Sequence, residues 1–559
     1  MERAFRYDGK DMDKQIPDYI NMGNAANYMK RYQNRSVTEN GAVGYRTTLH
    51  SLVDLNFMVS SLRNREEEFI TRAFIKAYYD SPKYAVKWLF FLRDIREGMG
   101  ERRTFRVCMK YLAESHLEIA KAVMELIPEY GRFDDLLVFL NTGLEDEVCQ
   151  LMKAQLDMDL LAMREQKPIS LLAKWLPSIN TSSKETRKCA QRLAEKFGMN
   201  ACQYRKMVSA LRAYGDVVEV KMSASRWGEI AYETVPAKAN LKYDRAFAKH
   251  DEERRSEYLW KVFEGDEQLN TKGIMPYEVV RRFTKNAGYR CALKDDLLAE
   301  LMWQHIVEQG FQNEWGFDDC IVVADGSGSM YDNASGSTSV TAIEICNSLA
   351  IYFAGQLKGV FHNKAITFSS RPQFIDLEKG NSLKEKLEIM LAHNEIANTN
   401  IEAVFDMLLD MAVSNAVPAE ELPKQVLIIS DMEFDAASAP DRWLSRDEAW
   451  NEFTPALFES IEKRYEQTGY KLPRLIFWNV CGRTDTIPKV DNEQGICLLS
   501  GFSQNAMKIA ADREKKDPYD SLIRVLDGPR YEAVEKAMMG WRRREEGEEA
   551  VKNGIDLNM

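Results

Sequence analysis

The spacing of apolar residues changes at Phe317, and that change divides the chain into two kinds of structure. Over residues 50–315, apolar side chains recur three and four apart in segments such as EEEFITRAFIKAYYD, AVKWLFFLRDIREG and LEIAKAVMELIPEY. This is the spacing of helices with one buried face. Ser81-Pro82, Gly98-Met99-Gly100, Pro128 with Gly131, and Pro177 with Asn180 break the pattern. Helices of about 12–18 residues joined by short turns stack as antiparallel pairs, so a HEAT-like α-helical solenoid is expected, although no fixed sequence period is visible. From DDCIVVAD onward, short β-rich runs (KAITFSS, PQFIDL, KQVLIIS, RLIFWNV, GICLLS) alternate with helical segments such as TAIEICNSLAIYFAGQL and IEAVFDMLLDMAV. Strands apolar on both faces that alternate with helices form a mostly parallel sheet covered on both sides, a doubly wound α/β domain.

The expected organisation is a loosely held polar N-terminal arm at 1–45, a helical domain at 46–315, an α/β domain at 316–540 and a charged tail at 541–559. With 559 residues and 45% hydrophobic content, the chain is globular and large enough for more than one core. No apolar run approaches the ~20 residues that span a bilayer. The first residues, MERAFRYDGKDMDK, lack the apolar stretch of a secretory leader. Nine cysteines form no CxxC pair and the six histidines no HxxxH, so a zinc site or disulfide framework is not expected and a cytoplasmic setting is. Cys320, Cys346 and Cys481 lie in apolar runs and read as small buried hydrophobes. Charge is uneven: residues 316–559 carry 26 basic and 40 acidic side chains, whereas residues 151–250 carry 18 and 10.

The first strand of the α/β domain ends in Asp325-Gly326-Ser327-Gly328-Ser329. Ligands of doubly wound sheets bind at this carboxyl edge. An acid and two hydroxyls at alternate positions, with glycines between, let a tight loop surround one hard cation. Their oxygen donors suit Mg²⁺ foremost, with Mn²⁺ or Ca²⁺ as alternatives. No phosphate-binding Gly-x-x-x-x-Gly-Lys loop and no Gly-x-Ser-x-Gly elbow is present.

The Asp-x-Ser-x-Ser arrangement resembles the metal-ion-dependent adhesion site (MIDAS) of von Willebrand factor A (vWA) domains. That resemblance implies a further hydroxyl ligand from a later loop, for which Thr399 is the candidate, and a second carboxylate at a strand end, Asp431. Asn398 stands where the family usually has glycine. Glu433 and Asp435 are extra acids nearby. Together with FLRDIREGMGER, AKWLPS, YRKMVSALR and EIAYETVPAKAN upstream, the segments VADGSGSM, LIISDMEF and LIFWNV resemble a bacterial, phage and plant family with a TROVE-like helical region before a vWA domain. The resemblance spans about residues 45–530 and implies a distant relationship to the Ro autoantigen. In Ro the helical repeats close into a ring and bind small structured RNAs and single-stranded RNA ends.

Residues 174–212 hold a basic series in which Lys188, Arg192 and Lys196 share a helical face. Lys174, Lys188, Arg192, Arg205, Lys206 and Arg212, with Trp175 and Tyr204 among them, are the candidate RNA contacts. A second cluster, Arg93, Arg96, Arg102, Arg103 and Arg106, contains Asp94, Glu97 and Glu101, so internal ion pairing is expected there. The expected function is a non-enzymatic, Ro-like RNA-binding scaffold, a ribonucleoprotein component, in which the vWA domain recruits a protein partner through a carboxylate that meets the metal. A protein-only adaptor, for example beside an AAA-type ATPase, is the alternative, and a metal-dependent hydrolase the third reading. The α/β domain, started near Asn313, is expected to fold alone.

Overall fold

The computed structural model describes residues 34–284, 293–311, 319–334, 340–368, 371–394, 399–436, 456–514 and 516–540. The first 33 residues, the junction at 312–318 and the charged tail lie outside them. The helical region runs from Ser51 to Phe311, and the α/β region is built on a six-stranded sheet.

That sheet has the order β5-β4-β3-β6-β7-β8, where β3 is Cys320–Asp325, β4 Lys364–Phe368, β5 Gln373–Asp376, β6 Gln425–Ser430, β7 Arg474–Asn479 and β8 Ile496–Ser500. All pairings are parallel except β4 with β5, an antiparallel edge. Every residue of β3, β6, β7 and β8 is buried, so both faces of the sheet centre are covered, as the continuous apolar runs required. Cys320, Cys346 and Cys481 are buried free thiols.

Within the helical region, the helix Pro82–Arg93 is buried at every residue from Ala85 to Arg93. It can bury Lys87 because the ammonium meets Asp527 and Glu535, each at 2.8 Å, from the far end of the chain. Both ends of the helical region rest on the α/β region. At the start, Ser60 N donates to Ser500 Oγ at 2.9 Å and Asn479 Nδ2 to Phe57 O at 3.0 Å. At the end, Thr284 Oγ1 donates to Glu344 at 2.6 Å and Gln356 Nε2 to Val307 O at 3.1 Å.

The two ends also meet each other. Gly100, at φ +70°, comes so close to Met275 that a β-carbon there would lie 2.7 Å from its Cε. Tyr277 packs edge-on against Phe502 with centroids 5.5 Å apart, and the Arg63 guanidinium sits 3.6 Å above the same Phe502 ring. The helices therefore curl back on themselves.

The N-terminal arm is not loose where it is described. Strands β1 (Arg35–Val37) and β2 (Val43–Tyr45) form a hairpin docked on the α/β region. Tyr45 and Ile487 exchange backbone hydrogen bonds of 2.8 and 2.9 Å, and the Tyr45 hydroxyl donates to Glu459 at 2.6 Å. Gly44 is required at that approach: a β-carbon would lie 2.5 Å from the Ile487 carbonyl oxygen. Among the described residues, no helix is long and apolar enough to cross a membrane.

A candidate metal centre and a basic cavity

In the parallel pair β3–β6, Ala324 lies opposite Ile429, so Asp325 and Ser430 reach the carboxyl edge together and Asp431 follows. Ser430 Oγ donates to Asp325 Oδ2 at 2.6 Å, and Ser327 N donates to Asp325 Oδ1 at 2.9 Å. The Ser327 and Ser329 hydroxyls are 3.2 Å apart, and Ser329 lies close enough to Asp431 to favour its charged form. Thr399 is buried at the same edge, tied by its carbonyl to Asp435 N at 2.9 Å. Asn398 falls outside the described residues.

Both carboxylates are fully buried. Burial, then the charge of Asp431, pushes the Asp325 carboxyl up to about 7. Burial likewise raises Asp431, against the nearby Arg483 cation. Asp431 Oδ2 has no hydrogen-bond partner, and its nearest cation is Arg483 Nη2 at 3.3 Å. Asn394, which the sequence did not single out, packs against the loop. A β-carbon on Gly326 would lie 2.8 Å from its Oδ1, and its buried side-chain amide makes no hydrogen bond. Two buried acids, neighbouring hydroxyls and unpartnered polar atoms on one strand edge fit a hard divalent cation. Among the described residues no group of three or more His, Cys, Asp or Glu side chains could hold a metal, and the candidate set contains only two such residues.

Glu433 is not free to act as a ligand. Its carboxylate accepts from the backbone N–H groups of Glu39, Arg483 and Thr484 at 2.8, 2.7 and 2.8 Å. It ties the hairpin and the loop after β7 to the sheet edge. Asn40 reinforces this, donating to Glu433 O at 2.7 Å and lying 3.5 Å from the Thr399 hydroxyl. Asp435 supplies backbone, not side chain, to Thr399.

The expected basic stripe is mostly accounted for by other contacts. Arg192 pairs with Glu145 and Asn141, and Lys196 with Asp146. Arg212 donates to the carbonyls of Ala173 and Leu176 at 2.8 and 2.6 Å and to Ser178 Oγ at 2.8 Å, which makes it a brace for that loop. Tyr204 is core, its hydroxyl bound to Pro177 O. Lys188, Arg205 and Lys206 remain exposed. The internal pairing expected of the second cluster gives way to pairing with distant partners: Arg93 and Arg106 with Asp135, Asp94 with Arg530, Glu97 with Lys508 and Glu101 with Arg63.

Positive charge collects instead inside the curl. A cavity of about 1140 Å³ is lined by Arg93, Arg102, Arg132, Lys174, Arg212, Lys238, Lys242 and Lys272, with Glu219 the one acid among its lining residues. Its walls come from successive helices and from the seam at Gly100 and Met275. Arg93, Arg102, Arg132 and Lys238 have carboxylate partners. Among the described residues, Lys174, Lys242 and Lys272 have none. Burial, then repulsion from Arg132 and Arg106, holds Arg102 below the usual arginine range. Trp175 lies in the wall with the Arg132 guanidinium 3.7 Å from its ring centroid, and Tyr243 lies beside Lys242. Of the basic residues expected to contact RNA, only Lys174 and Arg212 line this cavity, with Trp175 between them in sequence. Lys238 and Lys242, four apart on the helix Ala237–His250, and the distant Lys272 join Lys174 and Arg102 only through the fold, which no local pattern announces.

Residues 38–150 and 142–312 match one family, described as a domain of unknown function (DUF2828), and residues 319–550 match another, also described as a domain of unknown function (DUF7788). The two matched stretches meet where the helices give way to the sheet. The chain is also similar to the uncharacterized protein L728 of Acanthamoeba polyphaga mimivirus, at 27% identity over 531 residues covering 88% of this chain and 87% of that protein.

Proposed function

We propose that the protein is a non-enzymatic RNA-binding scaffold of the Ro type, in which a TROVE-like helical ring holds single-stranded or small RNA in its basic interior. The observation that carries this reading is the cavity, whose lining includes eight basic side chains, of which Lys174, Lys242 and Lys272 have no carboxylate partner among the described residues, and two aromatic rings. Phosphates are attracted to such a lining, and bases can stack on aromatic rings beside it. The RNA site thus moves from the outer stripe to the interior of the curl.

In the same reading the α/β region is a vWA-type domain. Asp325, Ser327, Ser329, Thr399 and Asp431 would hold a divalent cation, Mg²⁺ foremost. When bound, the cation supplies a hard Lewis acid to which a carboxylate of a protein partner can attach. The chain's own residues contribute the buried donor set, the glycine loop that lets Asn394 approach, and the Glu433 anchor that fixes the rim.

Binding of a fluorescent single-stranded RNA across a salt series tests the proposal. Affinity that falls steeply with salt supports it, because each neutralised phosphate releases counterions. No binding at low salt would overturn the RNA reading and leave the protein-only adaptor in its place.

A further inference from the structure

We infer that Arg483 is the built-in counter-charge of the Asp325–Asp431 pair, and that a divalent cation binding there competes with its guanidinium. The inference rests on reading those acids as metal ligands. Arg483 Nη2 stands 3.3 Å from Asp431 Oδ2, the carboxylate oxygen that lacks a hydrogen bond. The same guanidinium reaches Glu39 of the docked hairpin through Nε at 2.5 Å, and Asp332 beyond the glycine loop through Nη1 at 3.6 Å. One cation is therefore shared among three acids from three segments, of which only Asp431 is buried.

The main chain of Arg483 is fixed, because its N–H donates to Glu433 at 2.7 Å and its carbonyl accepts from Arg65 Nη2 at 2.6 Å. The side chain is one-third exposed, so the long arm can leave Asp431 while keeping Glu39 and Asp332. A divalent ion arriving at Asp431 must either approach a positive charge a few ångströms away or displace it. Like charges at that range oppose each other strongly where little water screens them. Arg483 thus sets the affinity of the site for cations, and Glu39 sets how firmly Arg483 is drawn away from it.

Mn²⁺ binding to the full chain, followed by electron paramagnetic resonance, tests this with Arg483→Gln, Arg483→Lys, Glu39→Gln, the Glu39→Gln/Arg483→Gln pair and Asp325→Ala. Arg483→Gln should tighten Mn²⁺ binding by about tenfold or more, and Arg483→Lys should stay near wild type. Glu39→Gln should weaken binding severalfold in the wild-type background and change little when Arg483 is already glutamine, the signature of an effect routed through Arg483. Wild type that binds Mn²⁺ while Arg483→Gln binds equally or more weakly overturns the inference alone. Should Arg483→Gln not fold, an equal effect of Glu39→Gln and wild type overturns it. Asp325→Ala that binds Mn²⁺ like wild type, or wild type that binds none, overturns the metal reading and the inference with it.

Discussion

Arg530, near the end of the described chain, donates from Nε to Oδ2 of the fully buried Asp94 at 2.8 Å, across 436 residues of sequence. Tyr531 stands 3.4 Å from the same oxygen, and Tyr130 stacks on Tyr531 with centroids 5.8 Å apart. This contact fastens the first helices to the last segment. Asp94→Asn should destabilise the protein by about 3 kcal/mol, the low end for a broken buried pair, because Arg530 keeps Glu129 and some water. Urea denaturation of the variant against wild type measures it.

The same packing bears on whether the α/β region can stand alone. Residues 57–60 bond to Asn479 and Ser500, and the hairpin covers the loop after β7. A fragment starting near Asn313 would uncover all of these surfaces. It should bind hydrophobic dyes and aggregate, whereas the full chain should melt cooperatively. A fragment with a sharp melting transition and dispersed amide resonances would show that the sheet region is self-sufficient after all.

Neutralising one of the two buried acids separates charge from coordination. Asp325→Asn should raise the metal-free melting midpoint by about 1 °C per kcal/mol gained, the shift expected when a chain of this length melts as one unit. It should also abolish any stabilisation by Mg²⁺. Differential scanning calorimetry with and without Mg²⁺ reads both effects.

For the cavity, Lys174, Lys242 and Lys272 changed together to Glu should weaken single-stranded RNA binding and flatten the salt slope by about 2, at roughly 0.7 per phosphate contact. Lys188, Arg205 and Lys206 changed to Glu should leave the slope in place. Fluorescence anisotropy over a salt series discriminates the two sets.

Arg212→Ala should cost about 1–3 kcal/mol by leaving the Ala173 and Leu176 carbonyls without their donor. Arg212→Lys should recover little, since a single ammonium cannot span acceptors that the planar guanidinium reaches from three nitrogens. Protease cleavage near residues 173–178 would report the loosened loop.

What the sequence made legible was local. The apolar runs of β3 and β6 showed that Asp325 and Asp431 stand at strand ends, because a parallel buried strand announces its own end, but only the resemblance of the Asp-x-Ser-x-Ser segment paired the two as candidates. The 3.6-residue period correctly put Lys188, Arg192 and Lys196 on one helix, Lys184–Lys196. It could not show that Glu145 and Asp146 come to lie against Arg192 and Lys196. Thr38, Glu39 and Asn40 read as loose polar chain because their partners, Phe434, Glu433 and Arg483, stand almost 400 residues or more away. Of the cavity lysines, Lys174 stood in a legible basic series, whereas Lys238, Lys242 and Lys272 did not, because their meeting with it is made by the fold and leaves no mark on the local sequence.

The buried Lys87 carries a consequence for how the molecule is made. A ribosome releases the helix Pro82–Arg93 long before it reaches Asp527 and Glu535, the two acids that neutralise that lysine. Throughout synthesis the amino-terminal helices hold an ammonium, and at Asp94 a carboxylate, whose partners do not yet exist. Nascent domains ordinarily settle in order of emergence. Here the earliest helices cannot finish until Asp527, Arg530 and Glu535 have been made, so a chain cut before Asp527 would forfeit the keystone of its oldest part.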